Sequence, residues 1–152
     1  MKIEEVAVRE AIRYTIGKYN RAVDEGRYDA LEEVFLETAT MEVHQGPLLA
    51  GRSAIIAALK AGAEQRRAFE PGHFQRHNMT SSMIELVDGD NADALHYILV
   101  VTELGFDHCG TYHDRFERHG ERWLIARRSA RMEWARPDSR FVAWLGAAST
   151  ET

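Results

Sequence analysis

A carboxylate and an imidazole, far apart along the chain, carry most of the chemistry that this sequence offers. Asp24 closes the stretch Tyr19-Asn-Arg-Ala-Val-Asp24, and His77 stands within Gln75-Arg-His77-Asn-Met-Thr80. Brought together, the aspartate would hold the imidazole in one tautomer and stabilise its charged form, making His77 a general base. Their separation does not itself require contact. An acid near a helix C-terminus opposes the helix dipole, so Asp24 is either solvated or held by a partner. His77 shares its strand side with His73, Gln75, Met79 and Ser81, a polar set for a simple core; the residues alone leave a structural and a functional role open.

Other chemistries fit less well. His73 and His77 lie four residues apart on an expected strand, roughly 13 Å at about 3.3 Å per residue, too far to share one ion. His108 and His113 should face opposite sides, and neither Cys-x-x-Cys nor His-Glu-x-x-His occurs, so no metal is expected. Cys109 beside His108 has the composition of a thiol and base pair, but neighbouring strand residues diverge, which favours a free structural thiol. The sequence has no nucleophile elbow, phosphate-cradling glycine loop or dinucleotide fingerprint, and no cofactor is implied.

The elements that would position Asp24 and His77 can be read from periodicity. Val8, Ile12, Ile16, Tyr19 and Val23 recur at helical spacing and predict an amphipathic helix ended by Gly26. Tyr19 lies near the centre of that stripe. Asp29 with Glu32 resembles a capping box for a short second helix carrying Leu31, Val34 and Phe35. Thr40 to His44 predicts a short strand closed by Gln45-Gly46-Pro47, and Ser53 caps a third helix that Pro71-Gly72 stops. His73 to Val87, Ala92 to Glu103, Gly110 to Arg118 and Trp123 to Trp134 then predict four strands, with turns at Asp88-Gly-Asp-Asn, Gly105-Phe-Asp-His and His119-Gly-Glu-Arg. Helices first and a meander second give an α+β domain, with helices on one face of a curved antiparallel sheet.

On the last strand, Leu124, Ala126, Arg128, Ala130, Met132 and Trp134 should share a face on which Arg128 is the one charge. A buried arginine needs an anion, so Arg128 either pairs with an internal carboxylate, reaches the sheet edge or serves a ligand pocket. Tyr112 and Phe116 share a side of their strand and suit a cavity wall. Residues 1–136 form the expected domain; a tail, 137–152, carries Phe141, Val142, Trp144 and Leu145, which would cover a pocket mouth or a dimer surface, or remain unordered.

Composition narrows the function further. A chain of 152 residues with 45% hydrophobic residues and three prolines reads as soluble and globular, with no apolar run long enough for a membrane. The single cysteine fits a reducing, cytoplasmic compartment, and the acidic start Met-Lys-Ile-Glu-Glu does not resemble an export signal. A net charge of −5 opposes general nucleic-acid binding, with Arg66-Arg67 and Arg127-Arg128 as local exceptions.

Several pieces together resemble the SnoaL-like branch of the NTF2-like (cystatin-like) superfamily, which contains lindane dehydrochlorinase, scytalone dehydratase and bile-acid 7α-dehydratase. They are Ala22-Val-Asp24 with Asp29-Ala-Leu31, Gly51-Arg52, Arg76-His77 with Thr80, Asp88-Gly-Asp90, Gly110-Thr-Tyr112, and Trp123 with Ala126-Arg-Arg128, in order from about Val8 to Trp134. The resemblance implies a cone-shaped pocket between helices and sheet, with Asp24 and His77 as a catalytic dyad, Tyr19 and Arg128 beside them, and Tyr97, Thr102, Tyr112 and Phe116 contacting substrate. It also implies a homodimer or homotrimer and a small apolar cyclic substrate that loses water or HX. A non-catalytic ligand carrier and an isomerase or cyclase on the same pocket are the alternatives; the structural small subunit of a ring-hydroxylating oxygenase is a third, though the chain is short for it. Val23 replaces a tyrosine of scytalone dehydratase, Ser81 replaces the asparagine that follows Thr80 in the dehydrochlorinase, and Thr102 or Tyr97 falls near the dehydratase's second histidine.

Overall fold

The computed structural model describes residues 2–69, 73–139 and 141–142, leaving aside the side chains of 67–69. Helix α1 (Ile3–Glu25) forms where the apolar spacing demands, and Ile12, Ile16, Tyr19 and Val23 are all buried on its inner face. Gly26 ends it at φ 71°, a left-handed conformation that costs glycine little; the Gly26 N–H donates to the Val23 carbonyl at 3.4 Å and that of Arg27 to the Ala22 carbonyl at 2.8 Å. This closure fixes the last turn and hence the direction of Asp24.

The next segment differs from the sequence reading. Tyr28–Glu33 is a 3₁₀ helix whose cap position falls on Arg27, so Asp29 and Glu32 form no capping box. Phe35 leaves the helix and opens strand β1 (Phe35–Val43), which is longer than Thr40 to His44. Strand β2 (Leu49–Ala50) pairs with β1, and Gly51 at φ 92° turns the chain into helix α2 (Arg52–Phe69), so Ser53 lies inside the helix instead of capping it. The stop expected at Pro71-Gly72 lies outside the described residues.

Strands β3 (Gln75–Leu86), β4 (Asn91–Thr102), β5 (Gly105–His119) and β6 (Arg122–Ala135) form the expected meander. The sheet order is β2-β1-β6-β5-β4-β3, antiparallel throughout except where β1 runs parallel to β6. Helices against a six-stranded, mostly antiparallel sheet make this an α+β fold, with the core between α1, α2 and the concave face.

Four irregularities decide which side chains face that core. A β-bulge puts two residues opposite one and inverts the alternation beyond it. In β6, Arg115 pairs with Arg127 but Phe116 pairs with Ile125, leaving Ala126 as the extra residue. The expected continuous face from Leu124 to Trp134 is therefore broken: Ile125 enters the core on one side of the bulge, and Arg128 and Ala130 on the other. After a second shift near Gly110, Trp134 is half-exposed and stacks on Phe106 with ring centroids 5.3 Å apart. In β3, Ser81 adopts φ 44° where the pairing with β4 shifts, which turns it outward and removes it from the His77 face.

The fourth irregularity is in β5. Gly105 at φ 95° pairs with Thr102, so the chain reverses within two residues, and Gly105-Phe-Asp-His, expected as a turn, is already strand. Val100 then pairs with His108 and Val101 with Phe106, leaving Asp107 as the bulged residue. Adjacent residues that should diverge, Asp107 and His108, are both buried on the concave side.

Candidate functional site

The concave face and the two helices enclose a cavity of about 110 Å³. Its wall is mostly apolar, including Val23, Met41, Leu59, Ile98, Val100 and Met132, and into it face Tyr19, Tyr112, Thr102, His77 and His108. Phe141, in the segment after Pro137, also lines it and stacks on the His108 ring at 4.7 Å. Trp144 and Leu145 lie outside the described residues.

Asp24 and His77 meet. The Asp24 Oδ1 lies 2.6 Å from His77 Nδ1, and the His77 backbone N–H donates to Asp24 Oδ2 at 2.9 Å. Both side chains are largely buried, and the two donors account for the acid at the end of α1: what the dipole disfavours, a ring and a backbone N–H stabilise. A carboxylate only accepts, so Nδ1 carries the proton and Nε2 is the nitrogen left to a ligand.

Tyr19 forms part of the cavity floor, edge to face with Tyr112 at 6.1 Å and with Phe35 at 5.9 Å. Burial pushes its hydroxyl above the ordinary tyrosine range while the neighbouring Arg128 guanidinium pulls it back, so the phenol keeps its proton at neutral pH. Tyr112 is pushed well up, again chiefly by burial.

Arg128 does not line the cavity. It is fully buried beneath the floor, sandwiched between the Tyr19 and Tyr112 rings with its guanidinium carbon 4.2 Å from each centroid. Its Nε and Nη2 donate to the two oxygens of Asp114 at 2.8 and 2.6 Å. The internal carboxylate is the partner found among those the residues allowed, and proximity to Asp114 raises the guanidinium's affinity for its proton against the effect of burial. Phe116 is likewise fully buried, in the core away from the cavity. Tyr97 is half-exposed and faces the other side of the sheet, because on β4 the inward positions are His96, Ile98, Val100 and Thr102. The structure thus brings His77, Tyr19, Thr102 and Tyr112 to one cavity, holds Asp24 against His77, and leaves Arg128, Phe116 and Tyr97 outside it.

A second acid and imidazole pair faces the same space. His108 Nδ1 lies 2.7 Å from Asp107 Oδ2, and the Ser139 hydroxyl donates to that oxygen at 2.6 Å. Burial lowers the His108 pKa, Asp107 opposes the shift, and nearby His77 and Arg66 add to it. Sequence reading missed this pair because it placed both residues in a turn; Gly105 as the end of a two-residue hairpin loop was the signal. Among the described residues no group of three or more His, Cys, Asp or Glu is arranged to hold a metal ion, and no helix is long and apolar enough to cross a membrane.

The family model for the SnoaL-like domain matches residues 4–129. The chain belongs to the SnoaL-like family. Solved structures similar to this SnoaL-like chain include a scytalone dehydratase-like protein from Novosphingobium aromaticivorans, at TM-score 0.76 and 18% identity over 90% of this chain and 91% of that one. Another is a hexachlorocyclohexane dehydrochlorinase from Novosphingobium barchaimii, at TM-score 0.75 and 18% identity over 89% and 92%. A third, an NTF2-like protein with a cystatin-like fold from Novosphingobium aromaticivorans, has TM-score 0.73 and 23% identity over 94% and 92%. At these identities they establish the NTF2-like, cystatin-like fold. No curated protein matches the chain by sequence.

Proposed function

We propose that this SnoaL-like protein is a cofactor-independent lyase that eliminates water or HX from a small, mostly apolar cyclic molecule. The observation that carries the reading is the 2.6 Å contact between Asp24 and His77 at the wall of a largely apolar cavity. His77 Nε2 removes a proton from a carbon beside an activating group, and the C–H electrons form the new double bond. The leaving group departs with its bonding electrons; when it is hydroxide, the imidazolium returns the proton and water results. Asp24 stabilises the imidazolium in between.

Tyr19, protonated at neutral pH, donates a hydrogen bond to the departing oxygen or to an activating carbonyl. Arg128 acts through Tyr19, as a positioning residue that holds the ring and offsets part of the loss of acidity that burial causes. The solved relatives whose names denote a dehydratase and a dehydrochlorinase support elimination as the reaction class. An isomerase or cyclase would use the same base but conserve mass, and a carrier would bind without turnover.

The test is a screen of hydroxylated cyclic ketones for loss of water by mass spectrometry, followed by variants on any substrate found. His77→Ala should lower turnover by about 10²–10⁴-fold with the fold retained, the range a positioned base supplies. Unchanged turnover in that variant would eliminate the mechanism.

A further inference from the structure

The register of the sheet places two imidazoles in one row on the same face. His77 pairs with Val100, and Val100 pairs with His108, so the three lie in one row across β3, β4 and β5. Two strand spacings of roughly 4.8 Å put the His77 and His108 backbones about 10 Å apart, with the Val100 side chain on the same face between them, so a small ring resting on Val100 would have one imidazole at each side. Both histidines line the cavity, and each has Nδ1 against a buried aspartate.

The second pair is built with as much structure as the first. The bulge that makes Asp107 the extra residue turns its carboxylate inward beside His108. Ser139 adds a donor to Asp107, and the Arg136 N–H donates to the Asp107 carbonyl at 2.9 Å, so the segment after β6 clamps the acid. Phe141 covers one face of the ring. With Nδ1–H committed to the carboxylate, Nε2 of a neutral imidazole can only accept a hydrogen bond. The mechanism above gives this group no task.

We propose that His108 is a substrate-binding residue whose Nε2 accepts a hydrogen bond from a hydroxyl, or other O–H or N–H donor, on the ring that His77 deprotonates. This assignment deepens the lyase reading and rests on the cavity being its substrate site. The substrate class narrows to cyclic molecules carrying a donor group across the ring from the reacting carbon, such as a phenol or an enolised ketone. The like-charge influence of His77 on His108 agrees with it: while His77 holds the substrate proton, His108 remains neutral and an acceptor.

The experiment uses the full chain and needs no turnover. In ¹⁵N-labelled protein at pH 7.5, His108 should show a protonated Nδ1 and a bare Nε2, and phenol should shift the Nε2 resonance. Phenol should bind at least about tenfold more tightly than toluene, which has the same shape without the donor. His108→Leu should abolish that preference, and His77→Gln should keep it. A proton on Nε2 in the unliganded protein, no binding of phenol, or a preference that survives His108→Leu would overturn the assignment. Because His77→Gln is predicted to stop elimination but spare phenol discrimination, failure of the lyase reading and failure of this one give different results.

Discussion

Replacing Asp114 by Asn tests the claim that Arg128 supports the cavity floor from beneath. The substitution keeps the side-chain shape and removes the negative charge from a pair in which both members are fully buried and joined by two hydrogen bonds of 2.8 and 2.6 Å. Breaking a buried pair on one side leaves an uncompensated charge and costs about 3–5 kcal/mol. Arg128 has little with which to offset that loss, since its Nη1 already lacks a hydrogen-bond partner in the structure. The two tyrosine rings at 4.2 Å contribute attraction of about 2 kcal/mol or more each, but they are present before and after the change and so do not replace the lost charge. For 152 residues an unfolding entropy near 2.1 cal/mol/K per residue gives about 0.3 kcal/mol/K, so Tm should fall by roughly 10–15 °C. Differential scanning calorimetry at pH 7 reads this directly. The double variant Asp114→Leu, Arg128→Met should recover most of the loss, because a buried pair replaced by apolar groups of similar volume is often neutral. A fall of less than about 3 °C for Asp114→Asn would refute the reasoning, since it would mean that the arginine finds water or another anion.

Two further outcomes follow from the core. His96 is fully buried, and burial lowers its pKa from 6.5 to about 4, with Asp114 opposing and Arg128 and Arg13 assisting. The unfolded chain takes up a proton below pH 6.5 that the folded protein refuses until about pH 4, so stability is full above 6.5 and declines as pH falls through that window, by about 2 kcal/mol at pH 5. Urea midpoints at pH 7 and 5 should separate less in His96→Phe than in the unmodified protein, and equal separation would contradict the assignment. Gly110→Ala should prevent folding to a soluble protein, because the new Cβ would lie 1.9 Å from the Arg131 carbonyl oxygen across the β5–β6 pairing; a soluble variant with unchanged Tm would show that the strands do not approach so closely.

What the sequence revealed and what it hid have separate physical causes. The α1 stripe was legible because Ile12, Ile16, Tyr19 and Val23 repeat at one period and bury one face, and the meander was legible because short turns force neighbours to pair. Asp24 and His77 were found through types and spacing shared with a family, and the structure places them 2.6 Å apart. Side-chain direction was the weak step. Parity on β4 alone separates Tyr97 from Thr102, which are five residues apart and so face opposite sides of a regular strand. Phe116 does share a side with Tyr112, but sidedness does not give depth, and two pairs further along the strand the cavity has given way to packed core.

Bulges were the larger loss, because each is a single unpaired residue with no compositional signal that survives in one sequence. Ala126 in β6 sends Ile125 and Arg128 to the same side, and Asp107 in β5 does the same for itself and His108. Both bulges lie on the strands that wall the cavity or support its floor. A regular β5 would send Asp107 to the outer face and leave His108 without its carboxylate. A regular β6 would turn either Ile125 or Arg128 outward, costing the core a side chain or leaving Asp114 uncompensated beneath Tyr19. The irregularities that defeat an alternation rule are the devices that put two buried carboxylates, Asp107 beside the cavity and Asp114 beneath it, against cationic or imidazole partners. The chemistry proposed here therefore depends on backbone register as much as on the identity of its side chains.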